Sequence, residues 1–293
     1  MSELERILAW KREELAERMR RRPLATVRAE AEAAPPARDF AAVLLRRGDR
    51  PALIAEIKRA SPSRGPIAPT VDPVALARVY IQAGASALSV LTDPRFFHGE
   101  LAHLQAIRRA FSEVPILRKD FTLDPYHVYE ARAAGADAVL LIVAALKPAQ
   151  LIDLIALSAS LGMTALVEVH REEELEQALK AGARVVGINH RDLRTLQVDR
   201  TVSARLRPRI PSEVRTVAES GLRSPEDVRE MAALGYDAVL IGEALVEAGV
   251  SPNGFDFEAV ARRVRWLIEG GSAPLPSSAS RCPANRGSHG WGL

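Results

Sequence analysis

Lysine is scarce in this chain, and two lysines lie inside apolar, strand-like runs. Only five of its forty Lys and Arg residues are lysine. Lys58 lies in Ala52-Leu53-Ile54-Ala55-Glu56-Ile57-Lys58 and Lys119 in Pro115-Ile116-Leu117-Arg118-Lys119-Asp120-Phe121. A guanidinium keeps its proton under all practical conditions, whereas a desolvated ammonium can release one. Lys58 and Lys119 are therefore candidates for proton transfer. Carboxylates sit in comparable runs: Glu56 two residues before Lys58, Glu168 in Leu166-Val167-Glu168-Val169, and Glu219 in Ala218-Glu219-Ser220-Gly221. Asn189 and Arg191 share a face at the end of Gly187-Ile188-Asn189-His190-Arg191. Lys58, Lys119 and Arg191 balance Glu56, Glu168 and Glu219, a cluster able to hold shifted pKa values for acid and base work. A ring of rim salt bridges is the competing reading. Six such groups at five strand ends favour catalysis.

The elements that must position them can be read independently. Apolar, β-branched runs occur at 52–58, 87–92, 115–121, 138–144, 164–169, 185–190, 215–219 and 238–242. Helical patterns separate them, among them Asp72 to Ala83, Leu146 to Leu161 and Arg171 to Ala181. Asp72-Pro73, Asp124-Pro125 and Ser224-Pro225 each supply a cap followed by Pro at the first helical position. Gly84, Gly135, Gly182 and Gly235 recur about fifty residues apart, each ending a helical pattern. That period suits two βα units, and four double units make eight strands. The expected fold is α/β, a (β/α)8 TIM barrel over residues 51–270, with an open doubly wound sheet as competitor. Residues 1–50 read as a helical extension packed on the barrel. Leu4, Ile7, Leu8, Leu15 and Met19 form its first helix, Pro35-Pro36 a break, and the stretch from Asp39 to Arg47 a second short helix. Residues 271–293 read as a disordered tail.

In such a barrel the site lies at the C-terminal strand ends. Ser220-Gly221-Leu222 and Ile241-Gly242-Glu243-Ala244 follow the last two strands, where backbone N–H groups commonly bind phosphate. Ser61-Pro62-Ser63-Arg64-Gly65 adds hydroxyl and guanidinium donors, and Phe96-Phe97-His98-Gly99 offers an aromatic wall. The six histidines show no metal-ligand spacing, and no Gly-rich nucleotide loop occurs, so neither metal nor cofactor is expected. At 47% hydrophobic and 26% charged the chain reads as an ordinary soluble protein with no membrane span. A lone Cys282 and a charged N-terminus fit a cytoplasmic setting. The cluster Arg18-Met19-Arg20-Arg21-Arg22 reads as a solvated helix end, and no nucleic-acid motif accompanies it.

These residues carry a resemblance. Ile54-Ala55-Glu56-Ile57-Lys58-Arg59-Ala60-Ser61-Pro62-Ser63, Leu117-Arg118-Lys119-Asp120-Phe121, Leu166-Val167-Glu168-Val169, Gly187-Ile188-Asn189-His190-Arg191-Asp192-Leu193 and Ala218-Glu219-Ser220-Gly221, in this order, resemble the indole-3-glycerol phosphate synthase family of tryptophan biosynthesis. The likeness runs from the first helix to about residue 268. It implies a carboxy-lyase acting on 1-(2-carboxyphenylamino)-1-deoxyribulose 5-phosphate, with ring closure, decarboxylation and dehydration. By position, Lys119 is implied as general acid and Glu168 as acid/base partner. Lys58 is implied as contact to the substrate carboxylate and acid in dehydration, with Glu56 orienting both lysines. Asn189, Arg191, Glu219, Ser220 and Ser61 are implied substrate contacts, and Gly221, Gly242 and Glu243 phosphate contacts. Phe97, Phe121, Leu141 and Leu193 are the implied walls around the anthranilate ring. Glu243 and His190 stand where the family often has other residues; a carboxylate cannot donate to phosphate, which leaves that arm to backbone N–H. The implied partner is a small phosphorylated substrate, with neither nucleic acid nor membrane. A monomer and an association with other tryptophan-pathway enzymes both remain open.

Overall fold

The computed structural model describes residues 2–46 and 48–270. The expectations for residues 271–293, Cys282 included, lie outside the described residues. Eight parallel strands close into a barrel: β1 (Ala52–Ile57), β2 (Ala87–Leu91), β3 (Ile116–Lys119), β4 (Ala138–Ile142), β5 (Thr164–Val169), β6 (Val185–Asn189), β7 (Arg215–Glu219) and β8 (Ala238–Ile241). Closure is made between β8 and β1, where Ala52 pairs with Ala238 and Ala55 with Ile241. The (β/α)8 expectation therefore holds against the open sheet. The strands are almost wholly buried, because side chains fill the barrel on one face and meet a helix layer on the other.

Two helices precede the barrel, α1 (Glu3–Arg21) and α2 (Leu24–Ala33). Around it follow α3 (Pro73–Gln82), α4 (Leu101–Ala110), α5 (Pro125–Ala133), α6 (Pro148–Ser160), α7 (Glu172–Lys180), α8 (Thr201–Leu206), α9 (Pro225–Ala233), α10 (Glu243–Gly249) and α11 (Phe257–Glu269). The caps act as the sequence suggests: Asp72, Asp124 and Ser224 accept backbone N–H groups of the first turns of α3, α5 and α9, each with Pro at the helix start. The four repeating glycines all adopt positive φ just past a helix, which lets the chain reverse into the next strand.

The extension departs from expectation in one respect. Its second helix is α2, ahead of Pro35-Pro36, whereas the described residues 39–46 of the expected helix, Asp39 to Arg47, hold a short 3-10 turn at Ala42–Leu44. Between Pro23 and the double proline the chain is rich in Ala and Glu, both good helix formers. Phe40 and Leu44 instead insert fully buried side chains into the core. Leu4, Ile7 and Leu8 of α1 join the same core, and Lys11 lies on the same helix stripe, only 1% exposed. Its amine meets Glu14 at 2.6 Å, Asp120 at 2.8 Å and Asp93 at 3.1 Å, so α1 is tied to the chain just beyond β2 and β3. The Arg18–Arg22 cluster is only partly a solvated helix end. Arg20 and Arg21 are exposed, but Arg18 binds the buried Glu130 of α5 at 2.8 Å.

Candidate active site

One cavity of about 440 Å³ opens at the C-terminal ends of the strands. Its lining includes Glu56 and Lys58 from the end of β1, Lys119 from β3, Glu168 from β5, Asn189 and Arg191 from β6 and beyond, and Glu219 from β7. Residues drawn from distant stretches of sequence thus reach one chamber, because alternate side chains of each strand point inward.

Lys119 is the hub. Its Nζ donates to Glu219 Oε2 at 2.7 Å and Glu168 Oε2 at 3.1 Å. Lys58 Nζ lies 2.9 Å from Glu56 Oε1. Glu168 and Glu219 are each 1% exposed, so these charges interact with little water to screen them. Burial opposes the charge on Lys119, but Glu168, Glu219 and Glu56 outweigh it and raise the amine above the ordinary lysine value. The direction corrects the expectation that desolvation would loosen this proton. Burial would also raise Glu168, yet Lys119, His170 and Asn189 hold it below the usual carboxylate range. Glu219 moves the other way: burial, reinforced by the neighbouring Glu168 and Glu56, lifts it despite the bond from Lys119. Two carboxylates on one ammonium thus have pKa values pushed apart, a pattern of paired acid and base groups.

Close packing fixes the cluster. A Cβ at Gly187 would sit 2.1 Å from Glu219 Oε1, and one at Gly242 would sit 2.5 Å from Glu56 Oε1. Gly187 was not singled out from the sequence; a glycine in the middle of an apolar strand was the available signal. His190 was singled out only for its departure from the family pattern, and the structure gives it a positioning contact. Its Nδ1 donates to the Ser220 carbonyl at 2.7 Å, so Nε2 accepts from Ser203 Oγ at 2.6 Å. That bond supports Ser220, which holds a left-handed φ of 69° between β7 and Gly221.

The cavity has an apolar side and a donor-rich side. Phe97 and Phe121 face each other at 6.3 Å between ring centroids, beside Leu193, Leu140, Ile142 and Ile7. Leu141, expected as a wall, does not line the cavity. It is fully buried between strand neighbours that do, because successive residues of β4 alternate between barrel interior and helix layer. On the opposite side lie Ser61, Ser63, Ser220, Gly221, Gly242, Glu243 and Arg223. The Glu243 carboxylate meets Arg223 at 2.9 Å, Arg64 at 3.7 Å and Arg191 at 3.8 Å, which neutralises a charge that would otherwise repel an anion. Arg223, missed in the sequence, follows Gly221 by two residues on the same loop.

A model of the indole-3-glycerol phosphate synthase family matches residues 4–251. The chain belongs to that family. The synthase of Parafrankia sp. is 56% identical over 249 residues, covering 85% of this chain and 92% of that protein. Those of Roseiflexus sp. and Rhodococcus jostii are 53% and 52% identical, covering 84% and 85% of this chain and 93% and 91% of the relatives. Among solved structures, the tryptophan synthase complex of Pyrococcus furiosus aligns with a TM-score of 0.56 at 17% identity, over 74% of this chain and 98% of that one. The 3-hexulose-6-phosphate synthase of Salmonella typhimurium aligns at 0.55 and 14%, over 75% and 99%. At such identities these two likenesses concern the fold alone.

Proposed function

We propose that the Lys119 ammonium, held between Glu168 and Glu219, supplies the proton for ring closure in the synthesis of indole-3-glycerol phosphate. The reaction is that of the family: 1-(2-carboxyphenylamino)-1-deoxyribulose 5-phosphate becomes indole-3-glycerol phosphate, carbon dioxide and water. The ring carbon bearing the carboxylate bonds to the ribulose carbonyl carbon, and the carbonyl oxygen takes up a proton. Loss of carbon dioxide restores the aromatic ring. Loss of that oxygen as water completes the indole.

The observation that carries the assignment is the pair of bonds from Lys119 to Glu219 and Glu168 inside a cavity with one apolar and one donor-rich side. An ammonium kept charged by its neighbours starts in the form a proton donor needs. When a substrate oxygen displaces one carboxylate, charge forming on that oxygen is met by a cation already in place. Lys58 takes the substrate carboxylate and serves as the acid in dehydration, with Glu56 holding its amine. Glu168, kept ionised, accepts the proton released in the later steps. Phe97, Phe121, Leu193, Leu140 and Ile142 flank the anthranilate ring and favour a folded, near-attack substrate. Asn189, Arg191 and Ser220 meet its polar groups. The phosphate falls to Ser61, Arg223 and the backbone N–H groups of Gly221, Gly242 and Glu243, the Glu243 carboxylate being spent on arginines.

Among the described residues no helix is long and apolar enough to cross a membrane. A cytoplasmic, monomeric enzyme with a small phosphorylated substrate is the setting this reading favours. Indole fluorescence on adding the anthranilate-ribulose phosphate tests the activity. Glu168→Gln should lower kcat by about a hundredfold or more while KM changes little, as expected of lost proton transfer. A change confined to KM would leave Glu168 a binding group only.

A further inference from the structure

Behind Glu168, on the side away from the cavity, lies His170 at the end of β5. It is 8% exposed. Its Nε2 faces Glu168 Oε1 at 3.4 Å and its Nδ1 faces Glu174 Oε2 at 3.2 Å. Neither Glu168 Oε1 nor His170 Nε2 has a conventional hydrogen-bond partner among the described residues, and the two atoms face each other. Glu174 is itself fixed: Oε2 accepts the His170 backbone N–H at 2.7 Å, and Oε1 accepts the Arg171 guanidinium at 2.8 Å. Leu4 of α1, Ala144 beyond β4, and Asp192, Leu193 and Arg194 after β6 enclose the other side of the ring.

Both ring nitrogens of His170 face carboxylate oxygens, Nε2 toward Glu168 and Nδ1 toward Glu174. A neutral imidazole has one N–H and can donate to only one of them, whereas the imidazolium donates to both.

We propose that His170 is a positioning residue for Glu168: as an imidazolium bridging two carboxylates, it fixes the Glu168 carboxylate and keeps it ionised for accepting protons. This rests on Glu168 being the acid/base group. Burial disfavours the charged ring, but Glu168 and Glu174 override it and push His170 up to about 9. Glu168 then holds two cations of different kinds. Lys119 reaches it from the chamber, where substrate can displace the amine, and His170 from behind, where substrate cannot reach. The carboxylate keeps one support through the step in which the other moves.

The test has two parts. In the full-length enzyme, ¹⁵N chemical shifts of the His170 ring, assigned by their loss in His170→Leu, are followed against pH. A midpoint above about 8 that falls toward the ordinary 6.5 in Glu168→Gln is expected. A midpoint at or below 6.5 overturns the proposal. In kinetics, His170→Leu should lower kcat about tenfold with KM nearly unchanged, and His170→Gln, which keeps a donor near Nε2, should restore most of that loss near neutral pH. Wild-type kcat and an unchanged pH profile in His170→Leu also overturn it. Should Glu168→Gln itself keep full kcat, the catalytic reading of Glu168 fails, while the ring titration still reports whether the pairing exists.

Discussion

At the residue scale the chemistry turns on how few groups share how much charge. Lys119 is not a weakened base waiting in an apolar strand. It is an ammonium pinned by two buried carboxylates, and on the reading proposed above its proton is released when substrate replaces one of them. The scarcity of lysine pointed to two side chains that do line the chamber, but not to the state of their protons, since sequence gives desolvation but not the number of carboxylates that converge in space. The same scale separates neighbours on β4. Leu141→Ala should destabilise the fold by about 2–5 kcal/mol, measured by denaturant unfolding, and leave KM unaltered, because its side chain packs outside the chamber. Ile142→Ala should raise KM. Equal effects of the two on KM would mean that strand alternation has been misassigned.

At the element scale, strands and helices were legible because each carries its own period and punctuation. Asp-Pro and Ser-Pro caps and the four helix-ending glycines mark boundaries within a few residues of those observed. The extension was less legible. Phe40 and Leu44 look like helix residues in a line of sequence, yet they are core plugs on a turn, a distinction made by the barrel they fill. Lys11 was overlooked for a related reason. It stands on the apolar stripe of α1, which sequence alone would call a flaw, whereas the structure sets its amine among Asp93, Asp120 and Glu14. Burial would raise Asp120, but Lys11 and Arg118 hold it well below the usual carboxylate range. Lys11→Met leaves the buried Asp93 without its cation and Asp120 with Arg118 alone, and should cost about 3–5 kcal/mol in chemical denaturation. A loss under about 1 kcal/mol would show that the pairing contributes no more than an exposed salt bridge does.

At the scale of the whole molecule, the closed barrel lets residues far apart in the sequence act together, and its titrating groups set the pH range of stability. Asp120, depressed in the folded state, contributes stability that is present above its ordinary pKa near 3.8 and lost as pH falls below it. His170, raised in the folded state, contributes stability that is fully present below its ordinary pKa near 6.5 and lost as pH rises through about 9. Glu219, also raised in the folded state, contributes stability that is lost as pH rises above its ordinary pKa near 4.5. Urea unfolding followed across pH should therefore show a maximum near pH 5 and a decline on either side, the alkaline decline continuing through about pH 9. In His170→Leu the alkaline decline should shrink. An alkaline limb identical to wild type would assign it to other groups.

On the reading proposed above, the Lys119 ammonium delivers the proton that closes the ring. The direct measurement is single-turnover formation of the indole product, followed by fluorescence, with purified wild type, Lys119→Met and Lys119→Arg at matched folded concentration. Both variants should bind substrate yet lose at least about a hundredfold in rate, Met because it has no proton and Arg because its guanidinium will not release one. Near wild-type turnover by Lys119→Met would contradict the account.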